Sequence, residues 1–385
     1  LGIKLSDPIP ANYKRYKHLT PVVYAHKIQP YTKGEYNFDV RPCQYWQDFS
    51  LTNDVSAVEE LADCVVVLPA TQSAEKSVMK RDVPLNYPRY DPAYLVAVDY
   101  CWDMLKVVLS APIMTATSVF DIKSNSSPGT ELKANGSKTK ADSLNNPLFW
   151  SRLLKTDHVP IFNTSMKEEF KELSDVLNGK IRSFYCAPFY FVMDEKILYQ
   201  NQNENIHNNC NTSWIKYGMI KQYGGWHRFC VPFERYQYII ESDVSGWDYN
   251  CYNGDVYYLR NRGLKCPDFM IELREFITYF SCYPCVLTPD GLVVQWNTGN
   301  ASGMANTTTN NCIKHQIIIL HILIESWFSG HGRYPTLYDI HEHALCAIYG
   351  DDKFLGINLD SFQISVSEFV DIERRVYSLH GMVIK

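Results

Sequence analysis

The sequence predicts an α+β fold in which helices pack on an antiparallel sheet, with a mixed α/β region before it. Three observations carry that expectation. Short apolar runs alternate with helical spacing from residue 236 onward, a Gly-Asp-Asp turn at 350–352 joins two short apolar strands, and residues 307–328 form one long, mostly apolar helix.

Taken in order, residues 96–109 read as a helix. Residues 123–146, rich in Ser, Asn, Gly and Lys, read as a long exposed loop. Helical spacing at Met166, Phe170, Leu173 and Leu177, with a charged opposite face, predicts a helix over 165–177 that Asn178 and Gly179 end. The consecutive apolar Tyr238, Ile239 and Ile240 make 236–242 a buried strand, and 254–274 reads as helix broken near Pro267. Apolar runs at 286–287 and 292–295 flank Pro289-Asp290-Gly291, a hairpin signal that need not belong to the main sheet. The strands at 344–349 and 354–357 follow, then an amphipathic helix at 365–379 (Phe369, Ile372, Val376, Leu379) and the start of a strand at 382–384.

Composition sets the outer bounds. With 385 residues, 46% of them hydrophobic and 14% aromatic, the chain has core material for more than one compact domain. A net charge of -5 excludes a protein that grips nucleic acid over its whole surface, so any such contact is local. No stretch reaches the roughly 18 apolar residues of a membrane span. The longest run, 317–324, is interrupted by His321 and stopped by Glu325, and reads as a buried helix. Among twelve cysteines only Cys282 and Cys285 form a CxxC pair, with no second pair at zinc-finger distance, so buried free thiols are expected. The chain opens at Leu1 without a basic-then-apolar leader, as a product of a larger precursor or a fragment would.

Three polar clusters carry the chemistry. Asp243 ends an apolar strand and Asp248 follows in ESDVSGWDYN. Ser302 and Gly303 lead into a helix on which Thr307 and Asn311, four apart, share one face. Asp351 and Asp352 sit in a tight turn for which Gly350 supplies a positive φ. Alone, each has an ordinary reading: a strand end, a capping region, a hairpin tip. In this order they form a kit. Hard carboxylate oxygens suit Mg²⁺, and two such ions about 3.5–4 Å apart stabilise the attacking and leaving oxygens of an in-line phosphoryl transfer.

These residues make the chain resemble the RNA-dependent RNA polymerases of positive-strand RNA viruses, within the picornavirus-like supergroup and closest to its astrovirus side. Asp243 and Asp248 resemble that family's motif A; Ser302, Gly303, Thr307 and Asn311 its motif B; Gly350, Asp351 and Asp352 its motif C. Residues 167–184 resemble motif F, with Lys167, Lys180 and Arg182 toward the incoming triphosphate. Residues 124–133 resemble motif G, with Ser127, Pro128 and Gly129 at the template entrance, although Pro128 here precedes Gly129.

The resemblance implies a right-hand polymerase fold, with fingers over 1–190, palm over 191–250 and 301–385, and an insertion over 251–300. It implies nucleotidyl transfer from NTPs to an RNA 3′-hydroxyl. Asp243, Asp351 and Asp352 would hold two Mg²⁺ ions, with Mn²⁺ as substitute. Asp248 and Asn311, supported by Ser302 and Thr307, would recognise the ribose 2′-hydroxyl. It further implies an RNA template and primer, other viral replication proteins as partners, and a place in membrane-associated replication complexes of the host cytoplasm. An RNA-binding module without catalysis is the alternative. Motif D would offer a lysine, and Lys385 is the candidate. The chain ends 33 residues after Asp352, which leaves no room for a thumb, so weak processivity and a modest, salt-sensitive grip on template are expected.

Overall fold

The computed structural model describes residues 17–24, 38–39, 64–67, 78–114, 125–167, 170–172, 182–288 and 291–385. At the centre runs the helix Thr307–His331. Residues 317–324 of that helix are all buried, because a helix that is apolar all round has no side to give to water. Two helices flank it. Pro92–Leu109 is started by Asp91, whose Oδ1 accepts the Ala93 and Tyr94 N–H groups at 2.9 and 3.3 Å, with proline at the first position. Val366–Leu379 is started by Ser365, which accepts the Glu368 N–H, and buries Phe369, Ile372 and Val376.

Below the central helix lies a three-stranded antiparallel sheet in the order Ala344–Tyr349, Asp352–Ile357, Tyr238–Ile240. A small ribbon pairs Val383–Ile384 with Val244–Ser245. A second core surrounds the helix Phe189–Asn208 and includes Phe162, Tyr185, Phe189 and Trp296. Its five-stranded sheet runs Thr20–Tyr24, Leu292–Gln295, Cys285–Leu287, Ile161–Met166, Ser183–Cys186. The 285–295 hairpin therefore joins a different sheet from the Asp-Asp hairpin, as its place in the sequence allows. Arg260, wholly buried, ties the two cores. Its guanidinium donates to Asn310 Oδ1 at 2.7 Å, to Gln202 Oε1 at 3.2 Å, to Asn203 Oδ1 at 3.1 Å and to the Thr309 hydroxyl.

The fold is the expected α+β, and most elements lie where the sequence puts them. Three expectations need correction. The helix expected over 165–177 is absent where the chain is described: Ile161–Met166 and Phe170–Glu172 are strands. Sheet pairing of Ser165 and Met166 with Phe184 and Ser183, and of Phe170–Glu172 with Cys64–Val66, overrides a helical spacing of single apolar residues. Residues 173–181, with Lys180 and the expected Asn178–Gly179 stop, lie outside the described residues. The loop expected over 123–146 is neither structureless nor fully exposed. From Asn125 on it forms helices Thr130–Ala134 and Lys140–Ser143, and Leu132 packs into the second core. The strand at 238–240 is not buried. It is an edge strand, with Tyr238 37% and Ile239 44% exposed.

Behind the Asp-Asp hairpin, the buried Lys353 ammonium pairs with the buried Glu373 carboxylate, which also accepts from Ser242 at 3.3 Å. Removing one partner strands the other charge away from water. Glu373→Ala should lower unfolding stability by about 3–5 kcal/mol in chemical denaturation, and Lys353→Met with Glu373→Leu should recover most of that loss.

Candidate active site

The sheet register sets the site. Leu355 pairs with Ile240 and Ile357 with Tyr238, so the strand that precedes Asp243 lies beside the strand that begins at Asp352. The turn that carries Asp351 and Asp352 closes between Tyr349 and Asp352, with Gly350 at φ +66°, a conformation that a side chain at this position would strain. The central helix grips this turn. Gly350 N–H points to the Cys312 sulfur at 3.1 Å, and the Gly350 carbonyl lies 3.1 Å from His315 Nδ1. The opposite nitrogen, His315 Nε2, lies 2.7 Å from the Tyr377 hydroxyl. Burial, with the Lys353 charge behind it, pushes the His315 pKa down to about 3. The ring is therefore neutral, with Nδ1–H donating to Gly350 and Nε2 accepting from Tyr377.

Asp248 lies on the turn of helix Trp247–Asn250. Asn300 joins it to the central helix: its N–H bonds the Asp248 carbonyl at 3.1 Å, and its Nδ2 bonds Asn311 Oδ1 at 2.6 Å. Thr307 turns its hydroxyl back to the Ala301 and Met304 carbonyls at 2.9 and 3.1 Å and so closes the loop before the helix. Ser302 Oγ accepts from the Tyr185 N–H at 3.4 Å. Gly303 must be glycine because a Cβ there would meet the Tyr185 carbonyl oxygen at 2.3 Å. Motif A, the loop before the helix and the helix face are thus one hydrogen-bonded unit.

The basic groups divide. Arg182 is exposed and near enough to Asp351 to oppose its rise in pKa, while Lys167 is tied to it through a bond from the Lys167 N–H to the Arg182 carbonyl, 3.0 Å. Lys385 comes to the acidic cluster directly. Its Nζ lies 2.8 Å from Asp243 Oδ2, and its N–H bonds the Asp243 carbonyl at 3.0 Å. Pro128 and Gly129 are buried against the start of helix Phe189–Asn208, where the Pro128 carbonyl accepts the Phe189 N–H at 3.0 Å. Ser127 is half-buried beside them and accepts the Gly129 N–H.

Lost hydration at the turn is the largest cause that raises the Asp351 pKa, and the carboxylates of Asp352 and Asp248 add to it. These carboxylates, with oxygen donors only, form a donor set that fits a hard divalent cation. On its other edge the Asp-Asp hairpin borders a cleft of about 910 Å³, lined by Lys216, Lys221, Trp226, Phe229, Tyr349 and Asp352.

Sequence reasoning missed four residues of this unit. Arg81 is buried under Tyr185, Tyr249 and Trp296, with its guanidinium carbon 4.4, 4.9 and 4.3 Å from their ring centres, and it donates to the Asp248 carbonyl. No sequence pattern marks it. Asn300 lies just before the Ser302-Gly303 motif. Cys312 and His315 were within reach, since His315 continues the Thr307, Asn311 spacing by one more turn.

The family model for viral RNA-dependent RNA polymerase matches residues 103–373. Over 212 residues the chain is 27% identical to the genome polyprotein of Bean common mosaic necrosis virus (strain NL-3), covering 51% of the chain and 6% of the polyprotein. Over 222 residues it is 24% identical to that of Lettuce mosaic virus (strain 0 / isolate French), covering 54% of the chain and 6% of the polyprotein. The chain is thus a small part of these relatives' length. Its fold is similar to the Sicinivirus 3Dpol RNA-dependent RNA polymerase, with a TM-score of 0.64 and 15% identity over 79% of this chain and 64% of that one. These relatives bear on the family rather than on the lineage within it.

The neutral His315 has a consequence for pH. An unfolded histidine binds a proton near pH 6.5, whereas His315 resists until about 3 and His158 until about 4, both chiefly through burial. Between those limits these histidines hold more protons in the unfolded chain, so their contribution to stability is lost as pH falls below about 6.5, while the buried Glu195 and Asp194, with raised pKa values, act in the opposite direction. From pH 7 to 4 the denaturation midpoint of the unaltered chain should fall relative to that of His315→Gln.

Proposed function

Because the chain belongs to the family of viral RNA-dependent RNA polymerases, we propose that it performs template-directed transfer of a nucleotide from an NTP to the 3′-hydroxyl of an RNA strand. The observation that carries this reading is the pairing of the strand before Asp243 with the strand that begins at Asp352, beside the Asp248–Asn300–Asn311 chain of bonds. In the step, the 3′-oxygen bonds to the α-phosphorus, its proton leaves, and the bond to pyrophosphate breaks.

Asp243 and Asp351 are the ligands for divalent metal, with Asp352 at a second ion. Two Mg²⁺ ions, or Mn²⁺ in their place, would supply charge stabilisation at the attacking and leaving oxygens. Asp248 and Asn311 bind the ribose 2′-hydroxyl, which both donates and accepts, and Ser302 and Thr307 hold the backbone that positions them. Lys180, Arg182 and Lys167 attract the triphosphate. Lys385, whose ammonium donates to Asp243 Oδ2, gives a proton to the leaving pyrophosphate. Ser127, Pro128 and Gly129 shape the template entrance. In this reading residues 191–250 and 301–385 are palm, and the partners are RNA, NTPs and the other products of a viral polyprotein. Among the described residues no helix is long and apolar enough to cross a membrane.

The test is incorporation of a labelled ribonucleotide on a primed RNA template by the full polymerase that carries this chain. Asp351→Ala should abolish it by several orders of magnitude while the melting temperature holds or rises, because the crowded carboxylate resists ionisation in the fold. Retained incorporation would overturn the assignment.

A further inference from the structure

Along the central helix from the catalytic turn, His321 and Glu325 face the start of helix Pro92–Leu109. His321 is wholly buried, and neither ring nitrogen has a hydrogen-bond partner. Its Nε2 lies 3.5 Å from Asp91 Oδ2 and 3.8 Å from Glu325 Oε1, and one ligand atom from each of the three residues lies within 4.8 Å of the others. We propose that Asp91, His321 and Glu325 form a divalent-metal site of the zinc class, separate from the catalytic carboxylates, that clamps helix Pro92–Leu109 to the central helix.

Four features of the chemistry support it. First, the spacings are too long for direct hydrogen bonds. They approach the ligand-to-ligand edge of a tetrahedral ion, about 3.4 Å for bonds near 2.1 Å. Second, each carboxylate has one oxygen committed elsewhere and the other turned to His321. Asp91 Oδ1 caps its helix, and Glu325 Oε2 accepts from Arg375 at 3.0 Å. Those bonds orient the ligands in the way outer partners do in metal sites. Third, Asp91 and Glu325 keep 22% and 18% of their side-chain surface, so an ion can reach a site whose imidazole is sealed. Fourth, a second sealed imidazole stands beside the first. His380 is buried with its Nε2 unpartnered, and its ring centre is 6.1 Å from that of His321.

The catalytic turn is gripped at Cys312 and His315. His321 is six residues further along the helix, about 9 Å at 1.5 Å per residue. The site therefore fixes the helix that holds the turn. The proposal does not depend on the polymerase reading.

The experiment uses the full polymerase with Asp243→Asn, Asp351→Asn and Asp352→Asn in place, which removes the carboxylates assigned to the catalytic ions. The protein is stripped with chelator and titrated with Co²⁺ as a spectroscopic stand-in for Zn²⁺, and equilibrium dialysis, absorbance and melting temperature are read. One equivalent of Co²⁺ should bind without a thiolate charge-transfer band and raise the melting temperature. His321→Leu should abolish both effects. Asp91→Asn, which keeps the cap acceptor, should weaken binding at least about tenfold. Should His321→Leu fail to fold, Glu325→Gln takes its place with the same expected loss. No saturable equivalent, an equivalent that survives these substitutions, or a thiolate band would overturn the proposal. So would a melting temperature indifferent to the metal.

Discussion

Two bonds from the central helix to one glycine govern the geometry of this site. The Cys312 sulfur takes the Gly350 N–H and the His315 ring takes the Gly350 carbonyl. A turn between two short strands is ordinarily the most mobile part of a hairpin. Here both polar groups of its glycine are claimed by a helix whose core residues are sealed on every side. Asp351 and Asp352 therefore project from a fixed platform, and the strand at 238–240, which leads to Asp243, pairs with the strand that begins at Asp352. Positioning of this kind is what a reaction with little covalent chemistry of its own asks of a protein.

The platform's interior is polar as well as apolar, and several of its charged groups are paired across elements. Arg260 binds acceptors from two other helices. Lys314 pairs with Asp255, which also takes the Tyr87 hydroxyl at 2.6 Å. Lys353 and Glu373 close the back of the hairpin. Each pair would be costly to break singly, so these contacts fix one arrangement of the helices more than they add net stability. The front of the site has the opposite character. Its carboxylates crowd one another at the surface, with Lys385 and Arg182 near them. The fold pairs its charges inside and leaves a surplus of negative charge where a divalent cation would sit.

Much of this was legible in the sequence. The central helix, both hairpins and the amphipathic last helix follow from periodicity and turn chemistry, which act locally. Asp243, Asp248, Asn311 and the Asp351–Asp352 pair stand out because their order is unusual, although each is commonplace alone. What stayed hidden depends on partners distant in sequence. The 165–177 segment has helical spacing, but where it is described it is strand, because Ser165 and Met166 pair with Phe184 and Ser183, and Phe170–Glu172 with Cys64–Val66. Arg81 matters only because Tyr185, Tyr249 and Trp296 enclose it. His321 read as an interruption in an apolar helix, and it acquires meaning only beside Asp91, 230 residues earlier. The helix that begins at Pro92 was seen from residue 96, although Asp91-Pro92 is a legible start signal.

The central claim is that the fixed turn and the Asp248–Asn311 pair together make a site for building RNA. Sugar selection tests it most directly. The relative kcat/KM for a ribonucleotide and its deoxy counterpart should be measured on a primed RNA template, with the full polymerase and with Asn311→Ala. The account predicts a strong preference for the ribonucleotide that shrinks markedly in the variant. Equal use of both sugars by the unaltered enzyme would contradict it.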